Sequence, residues 1–135
     1  MTPSRFRFAA ARVATLATVD GAGAPHVVPV TFAVDGDTVV SAVDGKPKRS
    51  TALRRHRNIR ANPRVSLLVQ HWDEDWSALW WVRADGLAVV TDTPSAVDRA
   101  VALLREKYDQ YSTVAVHGPV IEVAVHAWSA WSATA

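Results

Sequence analysis

Between Asp44 and Asp73 the chain has no acidic residue, yet it carries Lys46, Lys48, Arg49, Arg54, Arg55, Arg57, Arg60 and Arg64, eight of its fifteen Lys and Arg. The net charge of the whole protein is only +2, so this positive charge is local rather than a general coating. Bases of one sign crowded on a short stretch repel one another along a helix. They also raise the local potential, which in a groove attracts and holds an anion. The chemistry they suit is capture of a phosphate or a polycarboxylate. Lys46, Lys48 and a helix start around Ser50 and Thr51 would hold a phosphate through charge and free backbone N–H groups, with Arg54, Arg55 and Arg57 lining the continuation.

Tryptophan is the second signal. Trp72, Trp76, Trp80, Trp81, Trp128 and Trp131 are many for 135 residues. Adjacent on a strand, Trp80 and Trp81 must point to opposite faces, so one enters the core while the other faces a cleft or a subunit. Aromatic walls suit a flat ring. The other candidates are weak. His26, His56, His71, His117 and His126 have no metal-ligand spacing, and His71 with Asp73 and Glu74 is the nearest approach to one. Asp73, Glu74 and Asp75 read as an exposed acidic loop, and no serine stands in a nucleophile elbow. No catalytic residue is assigned and no metal is expected. A ring slot with an anion anchor, and no evident protein acid or nucleophile, suits a cofactor that brings its own chemistry, and a flavin-like molecule fits.

The elements that must position these groups are mostly strands. The length fits one domain, residues 1–135, and 49% apolar with 21% charged residues is ordinary for a folded domain. Without cysteine, thiolate catalysis, disulfides and Cys-held zinc are excluded. No apolar run is long enough to span a membrane, and Arg12 interrupts the N-terminal one, so a cytoplasmic protein is expected. A short helix capped by Ser4 runs to Arg12, followed by strands over Val13–Val19, Pro25–Val34, Thr38–Val43, Arg64–Gln70, Leu79–Val90 and Val120–Trp128. Pro29 lacks a donor, which places its strand at an edge or a bulge and leaves backbone groups free for a ring. Asp85-Gly86 marks a bulge or bend. A helix from Ser50 to Arg60 turns Ala52, Leu53, His56 and Ile59 inward and ends at Asn62-Pro63. Thr93-Pro94 opens another, to about Tyr108. Six strands joined by tight turns, with short α-helices, predict a mainly β protein and a small antiparallel barrel.

Particular segments resemble a known family. These are Ala14-Thr15-Leu16-Ala17-Thr18-Val19, Gly23-Ala24-Pro25-His26-Val27-Val28-Pro29-Val30 and Asp44-Gly45-Lys46-Pro47-Lys48, then Asn58-Ile59 with Asn62-Pro63-Arg64-Val65-Ser66-Leu67, and Asp75-Trp76-Ser77-Ala78-Leu79-Trp80-Trp81-Val82-Arg83. Together they resemble the pyridoxamine 5′-phosphate oxidase-like, flavin-binding split-barrel superfamily, and within it the actinobacterial branch of deazaflavin (coenzyme F420)-dependent enzymes. That resemblance implies a homodimer of six-stranded antiparallel split β-barrels with two cofactor sites at the subunit interface. It implies that Val28, Pro29 and Val30 lie along the ring through backbone contacts and that Ala42 and Val43 border the ribityl chain. Lys46, Lys48, Arg54 and Arg55 would face the phosphate, and Trp80 or Trp81 would approach from the partner subunit. Eight bases exceed what the single phosphate of FMN requires, which favours F420 with its oligoglutamate tail, FMN being the alternative. The implied activity is hydride transfer between the deazaflavin and a small organic substrate. A non-catalytic carrier of flavin or F420 is the rival, and nucleic acid is not an expected partner.

Overall fold

A computed structural model describes residues 2–45 and 53–134. Within these described residues three α-helices and seven strands follow in the order α1 (Pro3–Ala10), β1 (Ala14–Val19), β2 (Pro25–Val30), β3 (Ala33–Asp35), β4 (Thr38–Asp44), α2 (Arg54–Ala61), β5 (Arg64–His71), β6 (Trp80–Thr91), α3 (Pro94–Lys107) and β7 (Val116–Ser132). Every strand pairing is antiparallel, and the sheet order is β2-β1-β5-β6-β7-β4-β3. The strands at the two ends of that order, β2 and β3, are consecutive in the chain with only Thr31 and Phe32 between them. The sheet must therefore curl until its two edges meet, which makes a barrel with a split seam.

That seam is where the expected count of six strands becomes seven. The continuous strand expected over Pro25–Val34 breaks at Thr31-Phe32. Phe32 is fully buried, and its backbone leaves the ladder because side chains satisfy it instead. Lys107 Nζ donates to the Phe32 carbonyl at 2.9 Å, and Tyr108 Oη lies 3.2 Å from both the Phe32 nitrogen and its carbonyl oxygen. Ser41 Oγ donates to the Thr31 carbonyl at 2.8 Å. Pro29 on β2 needs no outer partner, since β2 pairs only with β1 along the strand.

Alternation along the strands fills the interior. Leu16, Val30, Val39, Leu67, Val69, Val82, Ala84 and Val123 point inward and are buried. Phe8 of α1 plugs this core, with its ring centre 5.0 Å from Phe32 and 5.1 Å from Trp128. Burying such a phenyl ring contributes about 2–3 kcal/mol. A second core forms where Ala100 and Leu104 of α3 pack on Val40 and Val120.

Helix ends differ from expectation for local reasons. Pro3 sits in the first turn of α1, where its missing N–H costs nothing, and Thr2 rather than Ser4 accepts from the Arg5 N–H, at 3.3 Å. Helix α2 begins at Arg54, after Leu53, and buries Asn58 beside His56 and Ile59. The buried amide is satisfied, because Asn58 Nδ2 donates to Thr18 Oγ1 at 3.0 Å. Strand β7 runs from Val116 through Gly118-Pro119 to Ser132, longer than expected, because β4 and β6 flank it on either side. The bulge expected at Asp85-Gly86 is present as a register shift against β7.

Candidate functional site

A cleft opens at the seam, between the end of β2 and the end of β4. Among the described residues its lining includes Pro29, Val30, Thr31, Ala42, Val43 and Arg55, with Ser41, Asp44 and Leu53 beside them, around about 110 Å³. The strands position these groups through one hydroxyl. Tyr111 Oη stands 2.6 Å from Thr31 Oγ1 and donates to Asp44 Oδ2 at 2.8 Å, so it ties the two strand ends together. Burial pushes the Tyr111 phenol up to about 12, and Asp44 adds to the shift while Thr31 opposes it. Gly45, at φ 81°, turns the chain out of β4 in a conformation that a side chain would strain, and its N–H donates to the Ala115 carbonyl at 2.9 Å.

Arg55 gives the cleft its charge. It is half-buried, and burial lowers the guanidinium from its ordinary value while the Asp44 carboxylate works against that shift. A cation held partly out of water beside a single carboxylate, itself shared with Tyr111, suits a further anion. Asp44 and Leu53 both line the cleft, and the chain between them carries Lys46, Lys48 and Arg49. Lys46 and Lys48 lie outside the described residues.

The structure thus brings Pro29, Val30, Ala42, Val43 and Arg55 together. Val28 turns its side chain into the barrel core, so only its backbone can face the edge. Arg54 is exposed on α2 and extends its charge toward Asp20, whose carboxyl is held low chiefly by the backbone N–H groups of Ala24 and Ala22. Trp80 packs against the barrel core, stacked on His71 at 6.0 Å, with the Arg7 guanidinium 5.2 Å from its ring centre. Trp81 lines a different cavity with Arg7 and Trp131. Both tryptophans pair with the last residues of β7, whereas Val43 pairs with His117 near its beginning, so within one chain they stand at the other end of that strand.

The family described as Pyridoxamine 5'-phosphate oxidase matches residues 4–132. The chain belongs to that family. No curated protein matches the sequence. Among solved structures, HutZ, the heme storage protein from Vibrio cholerae, is 19% identical with a TM-score of 0.69, covering 95% of this chain and 89% of that one. The conserved hypothetical protein Rv2991 from Mycobacterium tuberculosis is 23% identical with a TM-score of 0.69, covering 98% and 86%. An FAD-binding protein from Mesorhizobium loti is 22% identical with a TM-score of 0.64, covering 93% and 87%. At these identities the likeness is one of fold, and that fold is the split barrel of the pyridoxamine 5'-phosphate oxidase family.

Sequence reasoning did not select Thr31, Ser41, Asp44, Leu53 or Tyr111. Thr31 and Ser41 sit beside selected residues, Thr31 at the strand break and Ser41 where the β4–β7 register shifts. Tyr111 comes from the short 3₁₀ turn after α3, far along the chain, and no local pattern ties it to Asp44. Among the described residues no helix is long and apolar enough to cross a membrane, and no three His, Cys, Asp or Glu side chains are placed to hold a metal ion.

Proposed function

We propose that the chain is a homodimeric oxidoreductase that holds coenzyme F420 and passes hydride between its deazaflavin and a small organic substrate. One observation carries this reading: a half-buried arginine, Arg55, faces a cleft between two strand ends, and the flanking segment supplies Lys46, Lys48 and Arg49. When bound, the deazaflavin supplies the hydride chemistry. The protein's residues bind, orient and exclude water. Pro29, Val30 and the Val28 backbone lie along the ring, while Ala42 and Val43 flank the ribityl chain. Arg55, with Lys46 and Lys48, takes the phosphate, and Arg54 extends the positive field toward the tail.

The described walls enclose about 110 Å³, well short of the roughly 300–1,000 Å³ of sites that bury an organic ligand. A second copy would supply the missing wall, and with it Trp80 or Trp81 of the partner subunit.

FMN is the second reading, and a specific observation favours it. Of the bases between Asp44 and Asp73 that the structure describes, Arg55 alone lines the cleft, which is sufficient for one phosphate but not for a polycarboxylate tail. Parallel equilibrium titrations with F420 and FMN separate the two. Tighter binding of F420 supports the proposal, and tighter binding of FMN with a flavin spectrum in the purified protein replaces it.

A further inference from the structure

On the outer face of the sheet a second cavity, of about 490 Å³, is walled by Val19 and Pro25 on one side and by Arg64, Ser66, Asp85 and His126 on the other. The β6–β7 bulge builds its polar side. Asp85 pairs with Ala127 and Gly86 with Val125, so His126 is the residue that β7 carries in excess. A bulge re-aims side chains, and this one sets His126 at the cavity with Asp85. Ser66 is the residue directly opposite Asp85 on β5. Gly86 permits the arrangement, since a Cβ there would collide with the Ala124 carbonyl oxygen.

The Asp85 carboxylate is already engaged. Ser66 Oγ donates to Oδ1 at 2.5 Å and Arg83 Nε to Oδ2 at 3.1 Å. Burial works to raise this carboxyl, but the hydrogen bonds from Ser66 and Arg83 and the Arg83 charge outweigh it and hold it below the ordinary carboxylate range. With Asp85 paired to Arg83, Arg64 and His126 are the other ionisable side chains that line the cavity among the described residues.

We propose that this cavity binds a small organic carboxylate, its anionic end against Arg64 and His126 and its apolar body on Val19 and Pro25. Pro25 and Pro29 lie on the same outward row of β2, separated by about 13 Å at the usual strand rise. Pro25 lines this cavity and Pro29 lines the coenzyme cleft. The two sites are therefore opposite ends of one strand edge. Resting on the deazaflavin reading, the carboxylate is the substrate that meets a ring laid along β2.

The test is a titration of coenzyme-free, 15N-labelled protein with benzoate, and with benzamide as its neutral counterpart, at fixed ionic strength. Saturable amide shifts at Val19, Ser66, Asp85 and His126 are expected with benzoate, and roughly tenfold weaker binding with benzamide. Arg64→Gln, an exposed position whose folding the same spectra verify, should weaken benzoate by a similar factor. No saturable shift, equal binding of benzamide, or an unaltered Arg64→Gln titration overturns the site. Repeating the benzoate titration with F420 bound reads the substrate role, since the deazaflavin absorption band should move, and an unmoved band removes that role. The coenzyme-free arm does not depend on F420 binding, so failure of the cavity and failure of the coenzyme reading are distinguishable.

Discussion

At the scale of single residues, Arg55 and Tyr111 carry the cleft. Arg55→Glu would set a second carboxylate beside Asp44, and F420 affinity should fall by roughly tenfold or more in an equilibrium titration. Tyr111→Phe keeps the ring and removes the hydroxyl that bridges Thr31 and Asp44. Losing that bridge between part-buried groups costs about 0.5–1.5 kcal/mol, which urea unfolding should detect as a lower midpoint. The concentration of positive charge was legible because it is a matter of composition, with eight bases and no acid between Asp44 and Asp73. Which bases turn inward was not legible. Arg54 and Arg55 are neighbours on a helix, yet one is exposed near Asp20 and the other enters the cleft. Helical phase decides that, since successive residues stand about 100° apart around the axis, and the segment before Leu53, from residue 46 to residue 52, lies outside the described residues.

Elements fix where those residues stand. The clamp of α3 on the seam has a pH signature. Burial, reinforced by the Arg12 charge, lowers the Lys107 ammonium from 10.5 to about 8. Between these values the unfolded chain keeps a proton that the folded chain has released, so raising the pH through that window favours the folded state. The stability of the protein relative to Lys107→Met should therefore rise from pH 8 to 10.5 in denaturant titrations, and a constant difference would contradict the clamp. Gly86→Ala should cost about 1–3 kcal/mol in the same assay, because the new methyl meets the Ala124 backbone, which cannot rotate away. Strand alternation and Asp85-Gly86 showed most of the sheet from sequence. The seam escaped because Val28, Val30, Phe32 and Val34 keep a perfect period of two. Side chains arriving from residues 41, 107 and 108 hold the backbone of Thr31 and Phe32 away from it.

For the molecule as a whole, the family and the barrel followed from motifs spread over nearly the entire chain, and the family match over residues 4–132 agrees. Assembly is the property that single-chain reasoning reaches least, because an interface appears in one chain only as exposed apolar surface and an incomplete cleft. Sedimentation equilibrium should give the mass of two chains, and a monomer at all concentrations would remove the second wall on which the coenzyme site depends. The most direct measurement is calorimetric titration of the protein and of Arg55→Glu with F420. One site per chain, weakened by roughly tenfold or more in the variant, is the predicted result. No heat of binding, or identical affinity in the two proteins, would contradict the proposal that this cleft holds the anionic stem of the coenzyme.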